Sequence, residues 1–158
     1  MKTPLIIDQA LLDRISLQAK ESRRKRKNFN FHASENDLSH RLLNAIEPGT
    51  YIPPHRHMDP NKDESMVMVR GKMGAVFFDA AGNITQTAVL SAGGPVGAIN
   101  IPRGTFHSLV ALMSDTVFFE AKAGPYALLT AEERAPWAPQ EGEAGAAAYL
   151  AQLEKLFA

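Results

Sequence analysis

Apolar residues recur at helical spacing only near the two ends of this chain, and between them the pattern changes to short alternating runs. Asp8 is suited to cap a helix, and Leu11, Leu12, Ile15 and Ala19 then fall on one helical stripe. A basic run, "SRRKRK", and a short alternating segment, "NFNFH", follow. From Arg41 to Ala123 the chain reads as β. "HRLLNAIEPGTYI" ends in a Pro-Gly turn, "ESMVMVRG" is closed by Gly71, and "GAVFFDAAGNITQTAVL" predicts a hairpin turning at "DAAGN". "GAINIPRGTFHSLVAL" and "SDTVFFEAKAG" supply further strands. Many short strands punctuated by Gly and Pro indicate a sandwich or barrel. Beyond "GPY", "TAEERAPWAPQEGEAG" reads as a loop packed through Trp137. "AAAYLAQLEKLF" then places Tyr149, Leu150, Leu153 and Leu156 at helical spacing. The expected organisation is a helix and basic segment over 1–27, a β-barrel over 28–126, and a loop and helix packed on the barrel over 127–158.

Composition narrows the partners more than the fold. A chain of 158 residues can build one domain with a real hydrophobic core. With 17 basic and 17 acidic residues, its overall field favours neither nucleic acid nor a membrane surface. "RRKRK" has no second basic patch to support it, which argues against a nucleic-acid reading. No apolar run approaches a membrane span, and the N-terminus becomes charged too soon for a signal peptide, so a cytoplasmic location is expected. There are no cysteines, which removes disulfides, thiolate metal sites and cysteine nucleophiles.

The candidate chemistry lies in "PPHRHMDPNKDE". On a strand, residues two apart point to the same side, so His55 and His57 are expected to face a barrel interior together, with Arg56 turned away. Glu64 opens the next strand and can return beside them. Asp59 and Asp63 compete for its role but sit within the loop. His107, in "IPRGTFHSL", stands at another turn-to-strand junction. Three imidazoles and a carboxylate would fill four positions of an octahedral ion and leave about two open, as in non-haem sites. The alternative is a set of polar rim residues.

These residues resemble the cupin motifs. Gly49, His55, His57, Glu64 and Gly71 follow the first motif, with a longer gap between His57 and Glu64. Pro102, Gly104 and His107 follow the second, although its Asn position holds Ala111 and its leading glycine is displaced to Gly97. "NFNFH", "LLNAIEPGTYIPPHRH", "IPRGTFHSLVAL", "FEAKAGPY" and "APWAPQEG" together resemble the WbuC-type cupin fold metalloproteins, from about Arg24 to Gly142. That resemblance implies a single cupin double-stranded β-helix, or jelly-roll barrel, mainly β with a helix at each end. It also implies one divalent transition metal ion (Fe, Mn, Ni or Zn) held by His55, His57, Glu64 and His107. The family is bacterial and associated with O-antigen, lipopolysaccharide and surface polysaccharide synthesis.

Alternation in "NFNFH" puts Asn28, Asn30 and His32 on one side, with Arg24 and Arg26 continuing that face, and Phe29 and Phe31 on the other. The polar face either lines the barrel mouth, where it would suit a carboxylate, phosphate or sugar hydroxyl, or is simply solvated. Glu120 and Lys122 share a strand face and either pair or present an acid and a cation to the cavity. Tyr51 and Tyr126 are candidate phenol donors near the mouth, while Met66 and Met68 read as core. The leading expectation is a metal-dependent cupin acting on a small polar, anionic or sugar-like molecule, with His32 or Glu120 carrying a proton. The alternatives are an Fe(II) oxygenase and a non-enzymatic, metal-stabilised binding domain. A homodimer is expected, with the terminal helices as candidate contacts.

Overall fold

The computed structural model describes residues 3–158. Helix α1 spans Gln9–Glu21, and the Asp8 side chain accepts the Leu11 N–H at 2.9 Å, as a capping residue should. Eight strands follow: β1 Arg26–Asn30, β2 Ser39–Ile46, β3 Glu64–Arg70, β4 Lys72–Phe78, β5 Ile84–Ser91, β6 Ala98–Ile101, β7 Phe106–Ala111 and β8 Thr116–Ala123. Helix α2 spans Ala146–Lys155. One antiparallel sheet has the order β1-β2-β8-β3-β6 and the other β5-β4-β7. The two face each other as a jelly-roll barrel.

Strand alternation sorts the side chains into three apolar clusters. Inward positions Ile46, Met66, Met68, Met73, Leu109 and Phe118 fill the floor of the barrel between the sheets. Outward positions Leu43, Ala45 and Val117 meet Leu11, Leu12, Ile15 and Ala19 of α1, with Phe29 and Phe31 packed alongside. On the opposite face Val76, Phe78, Phe106 and Val110 meet Ala135, Ala138 and Leu153 from the C-terminal segment. Trp137 packs against Phe78 in a tilted arrangement and against Phe106 edge-to-face, at 4.9 and 5.8 Å between centroids.

Three details differ from the sequence reading. β1 begins at Arg26, so the end of the basic segment belongs to the sheet. Leu156 lies past the end of α2 and is 42% exposed, while Phe157 packs down instead, over Gly74. His55 and His57 do not lie on a strand. Only His55 forms an isolated bridge, exchanging backbone hydrogen bonds with His107 at 3.1 and 2.9 Å.

Towards one end of the barrel the inward positions turn polar. Along β3 the run Met68, Met66 ends in Glu64, and along β8 Phe118 is followed by Glu120 and Lys122. Register sets Glu64 opposite Lys122, and Met66 opposite Glu120. On β2 Ile46 gives way to Asn44, and on β7 Leu109 gives way to His107. An apolar floor and a polar chamber thus come from the same alternation.

Candidate metal centre

Pro53 and Pro54 carry the chain into the barrel mouth, and Pro54 is fully buried. The backbone of 54–56 is clamped from both sides. His55 bridges His107 on one side, while Arg56 N–H donates to Glu133 O and Ala135 N–H to Pro54 O on the other. Extended backbone therefore holds His55 and His57 on one face without a regular strand. Arg56 points outward, its guanidinium 4.5 Å above the Phe106 ring. Glu133 also accepts the Met58 N–H at 2.8 Å, which fixes the loop just beyond His57.

A candidate ligand atom from each of His55, His57 and Glu64 lies within 4.8 Å of the other two. His57 Nε2 stands 3.2 Å from Glu64 Oε1, and His107 Nε2 stands 3.0 Å from Glu64 Oε2. Yet His57 Nε2 and Glu64 Oε2 are buried without a hydrogen bond of proper geometry. Polar atoms crowded this closely but not aligned with one another are suited to share an ion or water. The tautomers agree. His55 Nδ1 contacts Pro53 O at 3.0 Å and His107 Nδ1 contacts Thr105 O at 2.9 Å. A carbonyl can only accept, so each Nδ1 carries a proton and Nε2 is the ring nitrogen left to face a metal. The donor set fits a divalent transition ion, and these are the residues that could hold one. Asp59 and Asp63 are occupied elsewhere, accepting the Asn61 and Arg103 N–H groups at 2.8 and 2.9 Å.

Charge is tightly managed here. Burial works against an ionised Glu64, but His107, His57 and Lys122 outweigh it and hold the carboxyl well below its usual range. Burial pushes the His55 imidazole down to about 3, so this side chain is neutral at physiological pH. Lys122 lies between two carboxylates, with Nζ 3.1 Å from Glu64 and 2.6 Å from Glu120. Burial opposes its charge, and the two carboxylates more than restore it. Burial likewise raises the Glu120 carboxyl, partly offset by Lys122. Both behaviours considered for Glu120 and Lys122 occur at once: they pair, and they face the cavity.

That cavity has a volume of about 390 Å³ and is lined by Arg24, Arg26, Asn28, Asn44, Glu120 and Lys122, together with His55, Glu64 and His107. Asn30 and His32 lie in a neighbouring space of about 330 Å³ that shares Asn28, Asn44, Glu120 and Lys122. His32 stacks on His40 with centroids 4.0 Å apart, and its Nδ1 contacts the Arg41 backbone. Tyr126 is 54% exposed and lines this second space. Tyr51 is a correction: it is buried against α2 and donates its hydroxyl to Pro139 O at 2.7 Å, away from the mouth. The sequence reading missed Asn44, whose amide donates to Glu120 Oε2 at 2.7 Å, and His40 beneath His32. Alternation along His40, Leu42, Asn44 and Ile46 was the available signal.

Comparison with known proteins agrees with this architecture. No curated protein matches the chain. Among solved structures, KdgF from Halomonas sp. is 19% identical with a TM-score of 0.50, covering 65% of this chain and 82% of its own. A conserved protein of unknown function from Streptococcus pyogenes is 14% identical with a TM-score of 0.53, covering 80% and 93%. The Cnp3 cupin domain of Schizosaccharomyces pombe is 14% identical with a TM-score of 0.48, covering 63% and 61%. For the first two, likeness at these identities is one of fold alone. Among the described residues, no helix is long and apolar enough to cross a membrane. A family model described as a domain of unknown function, DUF6016, matches residues 7–90, more than half of the chain, and the protein therefore belongs to the DUF6016 family.

Proposed function

We propose that this protein is a metal-dependent cupin that acts on a small polar molecule, with His55, His57, Glu64 and His107 holding one divalent transition ion. The observation that carries the reading is the crowding of His57 Nε2 and His107 Nε2 against the Glu64 oxygens, at 3.2 and 3.0 Å, with His57 Nε2 and Glu64 Oε2 buried without a hydrogen-bond partner. Such an ion, when bound, polarises a carbonyl or hydroxyl oxygen of the substrate. The protein's own groups supply the rest. Hydrogen bonds at Nδ1 keep the His55 and His107 rings oriented, and Lys122 offsets the negative charge of Glu64 and Glu120. Glu120 is a buried carboxyl with a raised pKa on the cavity wall, suited to hold or accept a proton, with Lys122 against Oε1 and Asn44 donating to Oε2. Metal-assisted isomerisation or proton transfer is the reaction class that this arrangement supports. Arg24, Arg26 and Asn28 line the same cavity and are suited to bind the substrate, while His32 in the adjoining space is the more remote proton carrier. Resemblance to the WbuC-type cupins supports a sugar or sugar-nucleotide derivative of surface polysaccharide synthesis as the substrate class.

The test is elemental analysis of the untagged protein and of His57→Ala. Near-stoichiometric iron, manganese, nickel or zinc in the wild type, lost in the variant, is expected. No retained metal in the wild type, even after anaerobic reconstitution, would sink the proposal.

A further inference from the structure

Two guanidinium groups at the edge of the 390 Å³ cavity already grip a carboxylate. Arg26 Nη1 and Nη2 each donate to one oxygen of Glu141 at 2.8 Å. Arg24 Nε reaches the same two oxygens at 3.2 and 3.0 Å. This double fork is how arginine recognises planar oxyanions. The two partners are held very differently. Arg26 is anchored from behind, its Nη1 also donating to Tyr51 O at 3.1 Å and Thr50 Oγ1 at 3.3 Å, and its side chain is 19% exposed. Glu141 sits in the irregular stretch before α2, and among the described residues its carboxylate has no hydrogen-bond partner besides the two arginines. A side-chain rotation frees the fork without disturbing a helix or strand. Both arginines also line a larger, adjoining space of about 590 Å³ beside Glu141 and Tyr126. Two guanidiniums against one carboxylate leave a net positive charge where the two spaces meet. Inside the chamber, by contrast, Lys122 is outnumbered by Glu64 and Glu120.

We infer that Arg24 and Arg26 form an anion subsite of this chamber, that Glu141 occupies it as a built-in competitor, and that the ligand is a small molecule whose carboxylate or phosphate displaces Glu141. The inference rests on reading this cavity as the ligand chamber. Its energetic consequence is direct. If Glu141 holds the pair about nine-tenths of the time, a ligand sees about one-tenth of its intrinsic affinity.

Inorganic phosphate and malonate, titrated separately into metal-stripped protein, test this through the Arg24 Nε–H resonance and through calorimetry. Saturable binding of at least one anion that moves the resonance is expected, and the preferred anion identifies the ligand's charged group. Glu141→Gln should tighten binding about tenfold, and Arg26→Gln in that background should abolish the gain. Equal affinity in the wild type and Glu141→Gln, or tight binding retained in the double variant, overturns the inference. If Glu141→Gln fails to fold by circular dichroism, the wild-type resonance decides, and no movement with either anion overturns it. Elemental analysis keeps the two readings apart. Protein that holds no metal but binds the anion through the arginines refutes the metal centre alone, and metal without an anion response refutes the subsite alone.

Discussion

Removing the cation from between two buried carboxylates gives a quantitative check on the charge balance of the chamber. In Lys122→Met the aliphatic stem is kept and the ammonium is lost. Glu64 and Glu120, with side chains 3% and 8% exposed, then lose a partner that stood 3.1 and 2.6 Å away. Breaking a buried pair costs about 3–5 kcal/mol, because the surviving charge is left without compensation. Lys122 is itself 24% exposed, so the lower part of that range applies. Glu120 also has an escape. Burial already raises its pKa, and without Lys122 the rise is larger, so the folded variant can take up a proton that the unfolded chain does not hold. The sign follows from linkage. A carboxyl whose folded pKa is raised favours folding at low pH and loses that contribution as pH rises through the window between the unfolded and folded values. The deficit of the variant should therefore grow with pH, to about 3 kcal/mol at pH 8 and about half that at pH 5. Urea unfolding of metal-stripped wild type and variant at both pH values measures this. A deficit that is independent of pH, or below about 1 kcal/mol at pH 8, would refute the claim that Lys122 acts through charge.

Tyr51→Phe removes only the hydroxyl donated to Pro139 O, so urea unfolding should show a loss of about 1 kcal/mol, with metal content unchanged. A loss of metal would return Tyr51 to the site. Gly71 has φ +79°, and a Cβ there would come within 2.7 Å of Thr116 Cα, so Gly71→Ala should cost about 2–4 kcal/mol in the same assay. Burial opposes ionisation of Glu141, but Arg26 and Arg24 outweigh it and lower its pKa. Its contribution is thus present above the unfolded carboxyl pKa and fades as pH falls through the lower folded value. The part-exposed pair limits this to about 1 kcal/mol, and Arg26→Gln should flatten that acid-side dependence in thermal melts.

Periodicity and spacing carried much of this protein. Helical stripes placed α1 and most of α2, and alternation with turn residues marked the strands, because burial on one face of an element is written locally in its residues. Spacing also marked His55, His57, Glu64 and His107 as candidate ligands, and the fold brings atoms of His55, His57 and Glu64 within 4.8 Å of one another, with His107 3.0 Å from Glu64. What alternation could not express was contact between distant segments. Phe157 rather than Leu156 packs down because the chain leaves the helix after Lys155, and the space over Gly74 accepts a ring. Tyr51 alternates with its neighbours as a mouth residue would, but its hydroxyl goes to Pro139, 88 positions away. The histidine pair shares a face although its segment is not a strand, because backbone bonds to His107 and to 133–135 extend it. Asn44 on Glu120, Lys122 between two carboxylates, and Glu141 on Arg24 and Arg26 are likewise pairings across strands or segments. The order of residues determined which side chains are available and which face of each element they occupy. Only the folded barrel decided which of them meet, because pairing of charges and hydrogen bonds depends on distance in space, and the closing of the two sheets sets that distance.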